Sequence, residues 1–149
     1  MAGTRVKSVR ELFVLPARPR AGRGRLVEAA VELFYRHGFG AVGVDRVIAA
    51  AGVTKTTFYK HFAGKDDLMV AAVRWRDAWE SRAWAGAVRS LGGDDPAGQL
   101  LAVFDVLDLW FGDPDFRGCM FMNAAAEFPD PGDPVHQAAL ARRRSTSAV

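Results

Sequence analysis

The tightest constraint on this chain is a three-residue junction, Gly52-Val53-Thr54, where one short helical pattern must stop and another must start. Before it, Val44, Val47, Ile48 and Ala51 recur on one helical face, behind Gly43 as N-cap and with Asp45 in the first turn. Gly52 supplies the left-handed residue that ends a helix, and the Thr54 hydroxyl caps the next, so only Val53 is left as connector. From Lys55 onward, Phe58 and Phe62 lie four apart and face inward, leaving Thr56, Thr57, Tyr59, Lys60 and His61 outward. Two short helices joined by so tight a glycine turn form a helix-turn-helix.

The surrounding periodicity is helical throughout. Leu26, Ala30, Leu33, Phe34 and His37 make one stripe of a helix over Arg25 to His37, stopped by Gly38. After Ala63-Gly64, a stripe at Leu68, Ala72, Trp75, Trp79, Ala83 and Gly86 predicts one long helix from Lys65 to Ser90. Beyond the turn at Gly92 to Pro96, a helix over Ala97 to Phe111 is expected to bury Leu100, Val103, Phe104, Leu107 and Trp110 or Phe111. Further helical stretches are expected from Met120 to Phe128 and from Val135 to Arg144. No segment alternates with period two, as a strand would. The fold class is therefore all-α: an N-terminal three-helix, helix-turn-helix headpiece, linked by a long fourth helix to a further helical body. The expected partition is a basic flexible arm at 1–22, in which Val9 to Leu15 is apolar enough for a short turn of helix, the headpiece at 23–66 and a helical body at 67–149.

Charge is distributed unevenly. Residues 1–65 hold twelve Lys or Arg against four Asp or Glu, whereas residues 94–134 hold Arg117 alone against nine acids. Fields act within a Debye length, so one end suits a polyanion and the other does not. No apolar run approaches the ~18 residues of a membrane span, and the N-terminus lacks the apolar stretch of a secretory signal; a cytoplasmic location without membrane contact is expected. A single cysteine, Cys119, offers no internal disulfide, and no His or Cys cluster has metal-ligand spacing. There is no phosphate-binding glycine loop and no Ser/His/Asp set on suitable elements, so no enzyme activity and no cofactor are expected.

The division of the helix after Thr54 suits duplex DNA. Threonines meet phosphates or thymine methyls, the Tyr59 hydroxyl reaches a phosphate, and Lys55 and Lys60 add the salt-dependent attraction. Lys65 opens the long helix, where backbone N–H groups also favour phosphate. The bland reading of the same residues is a solvated basic face. Leu33, Phe34, Phe58 and Phe62 are core. The four tryptophans at helical spacing are core or interface in the structural reading and a ligand cavity in the functional one; Trp110 is the one chosen as a ligand contact.

The run Gly38-Phe39, then Val44 to Phe62 (VDRVIAAAGVTKTTFYKHF), then Lys65-Asp66-Asp67-Leu68, resembles the headpiece of the TetR family of bacterial regulators. The resemblance implies DNA or phosphate contacts at Thr54, Lys55, Thr57, Tyr59, His61 and Lys65, with Arg46 approaching the backbone from the preceding helix; Thr56 and Lys60 complete the face. Gly43 departs from the family's usual Ser or Thr, and Ile48 from its common alanine. Trp110-Phe111, Asp115 to Cys119 and Phe121 to Glu127 are similar to the effector-binding body of some members, which makes Trp110, Cys119, Phe121 and Asn123 the candidate ligand residues. The resemblance implies a homeodomain-like headpiece and, at 67–149, an incomplete regulatory body for ligand binding and dimerisation. It implies a ligand-responsive repressor, acting as a homodimer on a palindromic operator and released by a small apolar effector. Since the chain stops at Val149, the alternative is a shortened interaction module that forms mixed dimers with a full-length relative.

Overall fold

A computed structural model describes residues 8–146, all helix and turn with no strand among them. The helices are α1 (Val9–Leu12), α2 (Gly22–His37), α3 (Val44–Ala51), α4 (Lys55–His61), α5 (Lys65–Gly92), α6 (Pro96–Phe111), α7 (Met120–Glu127) and α8 (Pro134–Thr146). The all-α, helix-turn-helix expectation holds. Element ends fall where local chemistry sets them: Gly52 takes φ 63° and ψ 38°, the left-handed geometry that lets α3 end and α4 begin three residues later. Asp95 caps α6 through the Gly98 N–H at 2.8 Å, with Pro96 at its first turn.

The Cα positions divide into two compact units, residues 17–77 with 117–149 and residues 1–16 with 78–116; α5 contributes to both. The first unit holds the headpiece. Leu26, Ala30 and Phe34 of α2, Phe39 and Val42 of the following turn, Val47 of α3, Phe58 of α4 and Leu68, Ala72 and Val73 of α5 are all essentially inaccessible to water. The same core continues into Met120, Phe121 and Ala124 of α7 and Val135 and Ala139 of α8. Each fully buried large side chain contributes roughly 1.5–3 kcal/mol, so this core stabilises the headpiece and the two late helices together.

In the second unit, two expectations change. The sequence reads residues 1–22 as a largely unfolded arm with room for a short helical turn at Val9 to Leu15; residues 1–7 lie outside the described residues, and that turn is α1, with Ser8 and Glu11 forming a reciprocal capping box. Phe13, 8% exposed, then sits among Trp79, Trp84 and Trp110 with ring centroids 5.7–6.4 Å apart. One apolar anchor, Leu12-Phe13, outweighs the surrounding arginines. The buried face of α6 is also not the expected one: Ala102 and Val106 are buried, while Leu100, Phe104 and Phe111 are 58–68% exposed. The α6 sequence is apolar nearly all round, so periodicity offers several faces and packing selects one.

Candidate nucleic-acid interface

Helix α4 is a rod of seven residues carried on its aromatic side. Phe58 is fully buried, with its ring 5.6 Å from that of Phe62. Phe62 was expected inside the helix; it is instead the C-cap residue, with extended backbone, and still buries its ring. Lys55, Thr56, Tyr59, Lys60 and His61 are exposed. Tyr59 is 55% exposed, and its ring stands edge-on to Phe58 at 5.0 Å, so the outward phenol is braced by the core beneath it.

The two threonines at the start of α4 behave differently from the rest. Thr54 Oγ1 accepts the Thr57 N–H at 3.1 Å and lies 3.0 Å from Thr57 Oγ1. This is the N-cap, and it engages both hydroxyls with each other. Thr57 is half-buried rather than outward. Its methyl lies 2.8 Å from where a Cβ on Gly22 would stand, so a glycine there lets the start of α2 approach α4. One hydrogen-bonding direction on Thr57 remains for a ligand, since a hydroxyl both donates and accepts.

The cations surround this face. Arg46 of α3 is exposed, with Nη2 3.0 Å from His37 Nε2, a partner for His37 that the sequence did not reveal. Guanidinium donates only, so His37 Nε2 accepts and its ring proton rests on Nδ1. Lys55 Nζ stands 3.8 Å from Asp45 Oδ1 with both side chains largely exposed; such a pair is weak and exchanges readily for a phosphate. Lys65, half-buried, is the first residue of α5. Arg23, absent from the expected contacts, lays its guanidinium 5.3 Å from the Phe62 ring centroid. Together with His61 and Arg74 it rims an open groove of about 660 Å³ floored by Val27, Phe62 and Trp75. Its only sequence signal was membership in the basic N-terminal excess.

The four ligand candidates do not gather in one unit. Trp110 is half-buried in an aromatic cluster with Phe13, Trp84, Phe111 and Phe116. Cys119 is half-buried beside the other core. Phe121, 6% exposed, is part of that core. Asn123 is exposed and donates from Nδ2 to the Arg117 carbonyl at 3.0 Å. The sequence also left Tyr35 and Glu127 unassigned. The Tyr35 hydroxyl accepts the Arg117 N–H at 2.9 Å, and the Arg76 guanidinium lies 4.8 Å from its ring centroid. The Glu127 carboxylate accepts the N–H groups of Phe39 at 2.9 Å and Gly40 at 2.8 Å. No sequence pattern announces contacts across more than eighty residues.

Comparison with known proteins adds to this geometry. Residues 26–72 match the model of the N-terminal region of bacterial regulatory proteins of the tetR family. The crystal structure of SCO4454, a TetR-family transcriptional regulator from Streptomyces coelicolor, is similar with TM-score 0.70 and 43% identity, covering 83% of this chain and 65% of that one. The crystal structure of SAV143 from Streptomyces avermitilis, a tetR-type protein, is similar with TM-score 0.69 and 33% identity, covering 87% of this chain and 69% of that one. The HTH-type transcriptional activator FasR of Mycolicibacterium smegmatis is 40% identical over 52 residues, 35% of this chain and 24% of that protein. The chain spans about a third of the length of the curated relatives it matches.

Proposed function

This chain belongs to the TetR family of bacterial regulatory proteins, and from that premise we propose that it regulates transcription by binding duplex DNA through α4. The observation that carries the reading is the division of α4: Phe58 and Phe62 anchor it in the core, while Thr56, Tyr59, Lys60 and His61 are free at the surface. A rod so mounted presents hydroxyls and cations to a major groove without disturbing its own support. Residues 23–66 are the DNA-binding headpiece in this reading. Arg46, Lys55, Tyr59, Lys60, His61 and Lys65 meet phosphates, and Thr56 with the remaining valence of Thr57 meets base edges. Thr54 supports the others as the cap of the helix.

Repression of a palindromic operator by a homodimer, in the cytoplasm, is the fuller form of this proposal. Its effector part draws on the half-buried rings around Trp110. The test is a mobility-shift titration of the purified chain against the DNA upstream of its own reading frame and against random duplex. Preference for the former, altered in Thr57→Ala, with Lys60→Ala weakening both duplexes about equally, is the expected result; equal binding of the wild type to both duplexes refutes operator recognition.

A second reading has its own support in Leu100, Leu101, Phe104 and Phe111 of α6, which leave a broad apolar face uncovered. In that reading the chain pairs with another regulator rather than acting alone. Light scattering separates the two: a stable homodimer favours the regulator, and a monomer that binds no duplex favours the interaction module.

A further inference from the structure

Residues at the end of α7 grip the turn that feeds the helix-turn-helix. The Glu127 carboxylate spans two successive amides, one oxygen accepting from Phe39 at 2.9 Å and the other from Gly40 at 2.8 Å. The next residue, Phe128, packs its ring edge-on to Phe39 with centroids 6.0 Å apart, and Phe39 in turn stacks on Phe34 of α2 at 5.0 Å. The approach is close: a Cβ on Gly38 would stand 3.0 Å from Glu127 Oε1, and Gly38 has φ 86°. The turn from Gly38 to Gly43 is the only covalent link from α2 to α3, and Gly43 caps α3 without a side-chain hydrogen bond. Buried Phe39, Val42 and Val47 and the Arg46–His37 bond hold α3 against α2, but none of them grips the turn's own amides. The Glu127 carboxylate does, and two charge-assisted hydrogen bonds from one planar group define an orientation as well as a distance.

We propose that Glu127 is a positioning residue for DNA recognition, setting the entry angle of α3, and through the Gly52 turn that of α4, by holding the Phe39-Gly40 amides. The inference rests on the DNA-binding reading above. It makes the end of α7 one point at which a displacement of the late helices reaches the recognition helix, beside the core that they share with the headpiece. The Arg117 N–H to Tyr35 hydroxyl bond ties the segment before α7 to the middle of α2. The α7 region is thus anchored at two places on α2 and its turn, and a shift of α7 must change one of them.

The experiment compares wild type, Glu127→Ala and Glu127→Gln on a duplex that the wild-type chain has itself selected from a random-sequence pool, and on the unselected pool. Glu127→Ala should lose on the order of tenfold affinity for the selected duplex, while affinity for the pool moves by less than about twofold. Amide hydrogen exchange at Phe39 and Gly40 should quicken in the same variant. Glu127→Gln, which keeps the shape and one acceptor oxygen, should fall between, and it carries the test alone if Glu127→Ala does not fold. Unchanged affinity of a folded variant for the selected duplex overturns the inference and leaves DNA binding standing. Equal loss on selected and unselected DNA also overturns it, since that is the mark of a headpiece generally damaged rather than misdirected. Failure of the wild type to bind any duplex removes the DNA-binding reading and this inference with it.

Discussion

The salt dependence of DNA binding gives the sharpest test of the interface, because it counts cations rather than inferring them. Four basic side chains on or beside α4 lie at least partly in solvent: Arg46, Lys55, Lys60 and Lys65. Each phosphate neutralised releases counterions and contributes about −0.9 to the slope of log affinity against log salt, so four contacts give roughly −3.6 per headpiece. Each bound headpiece should then lose about 150-fold in affinity between about 50 mM and about 200 mM salt, and a homodimer on two half-sites should show about twice the slope. Lys60→Ala should make the slope shallower by about 0.9, whereas Thr56→Ala, which removes no charge, should leave it alone. Lys55 is informative in a different way. Its 3.8 Å pairing with Asp45 is exposed and cheap to break, so Asp45→Asn should tighten binding slightly and leave the count of released ions nearly intact. Fluorescence anisotropy on a labelled duplex at five salt concentrations measures all of this. A slope near zero for the wild type, or one that Lys60→Ala does not change, refutes the assignment of this face to phosphates.

Other perturbations probe the scaffold. Thr54→Ala should cost about 1 kcal/mol and fray α4, because the Thr57 N–H loses its 3.1 Å acceptor; thermal melting followed by circular dichroism reads it, and an unchanged midpoint contradicts the cap. Phe58→Ala should cost about 3–5 kcal/mol by emptying the centre of the headpiece core, measured by urea denaturation. Phe13→Ala should expose the indoles around it and shift tryptophan emission to the red. Emission identical to wild type would mean that Phe13 does not pack against Trp79, Trp84 and Trp110.

Sequence determined what local physics determines. The stops at Gly38 and Gly52, the cap at Thr54 and the inward Phe58 follow from backbone conformation and helical spacing, and they define the headpiece and most of its outward residues without reference to the rest of the chain. Tertiary structure decided whatever depends on partners distant along the chain. It selected Ala102 and Val106 as the buried face of a helix apolar on several sides, recruited Phe13 out of an arginine-rich segment into an aromatic cluster, and turned Thr57 half inward against Gly22. It also joined α7 and α8 to the headpiece core and closed the Glu127 carboxylate on the Phe39 and Gly40 amides. Periodicity ranks the faces of one helix, but burial is a property of two surfaces meeting, and a chain of residues does not state which surfaces meet.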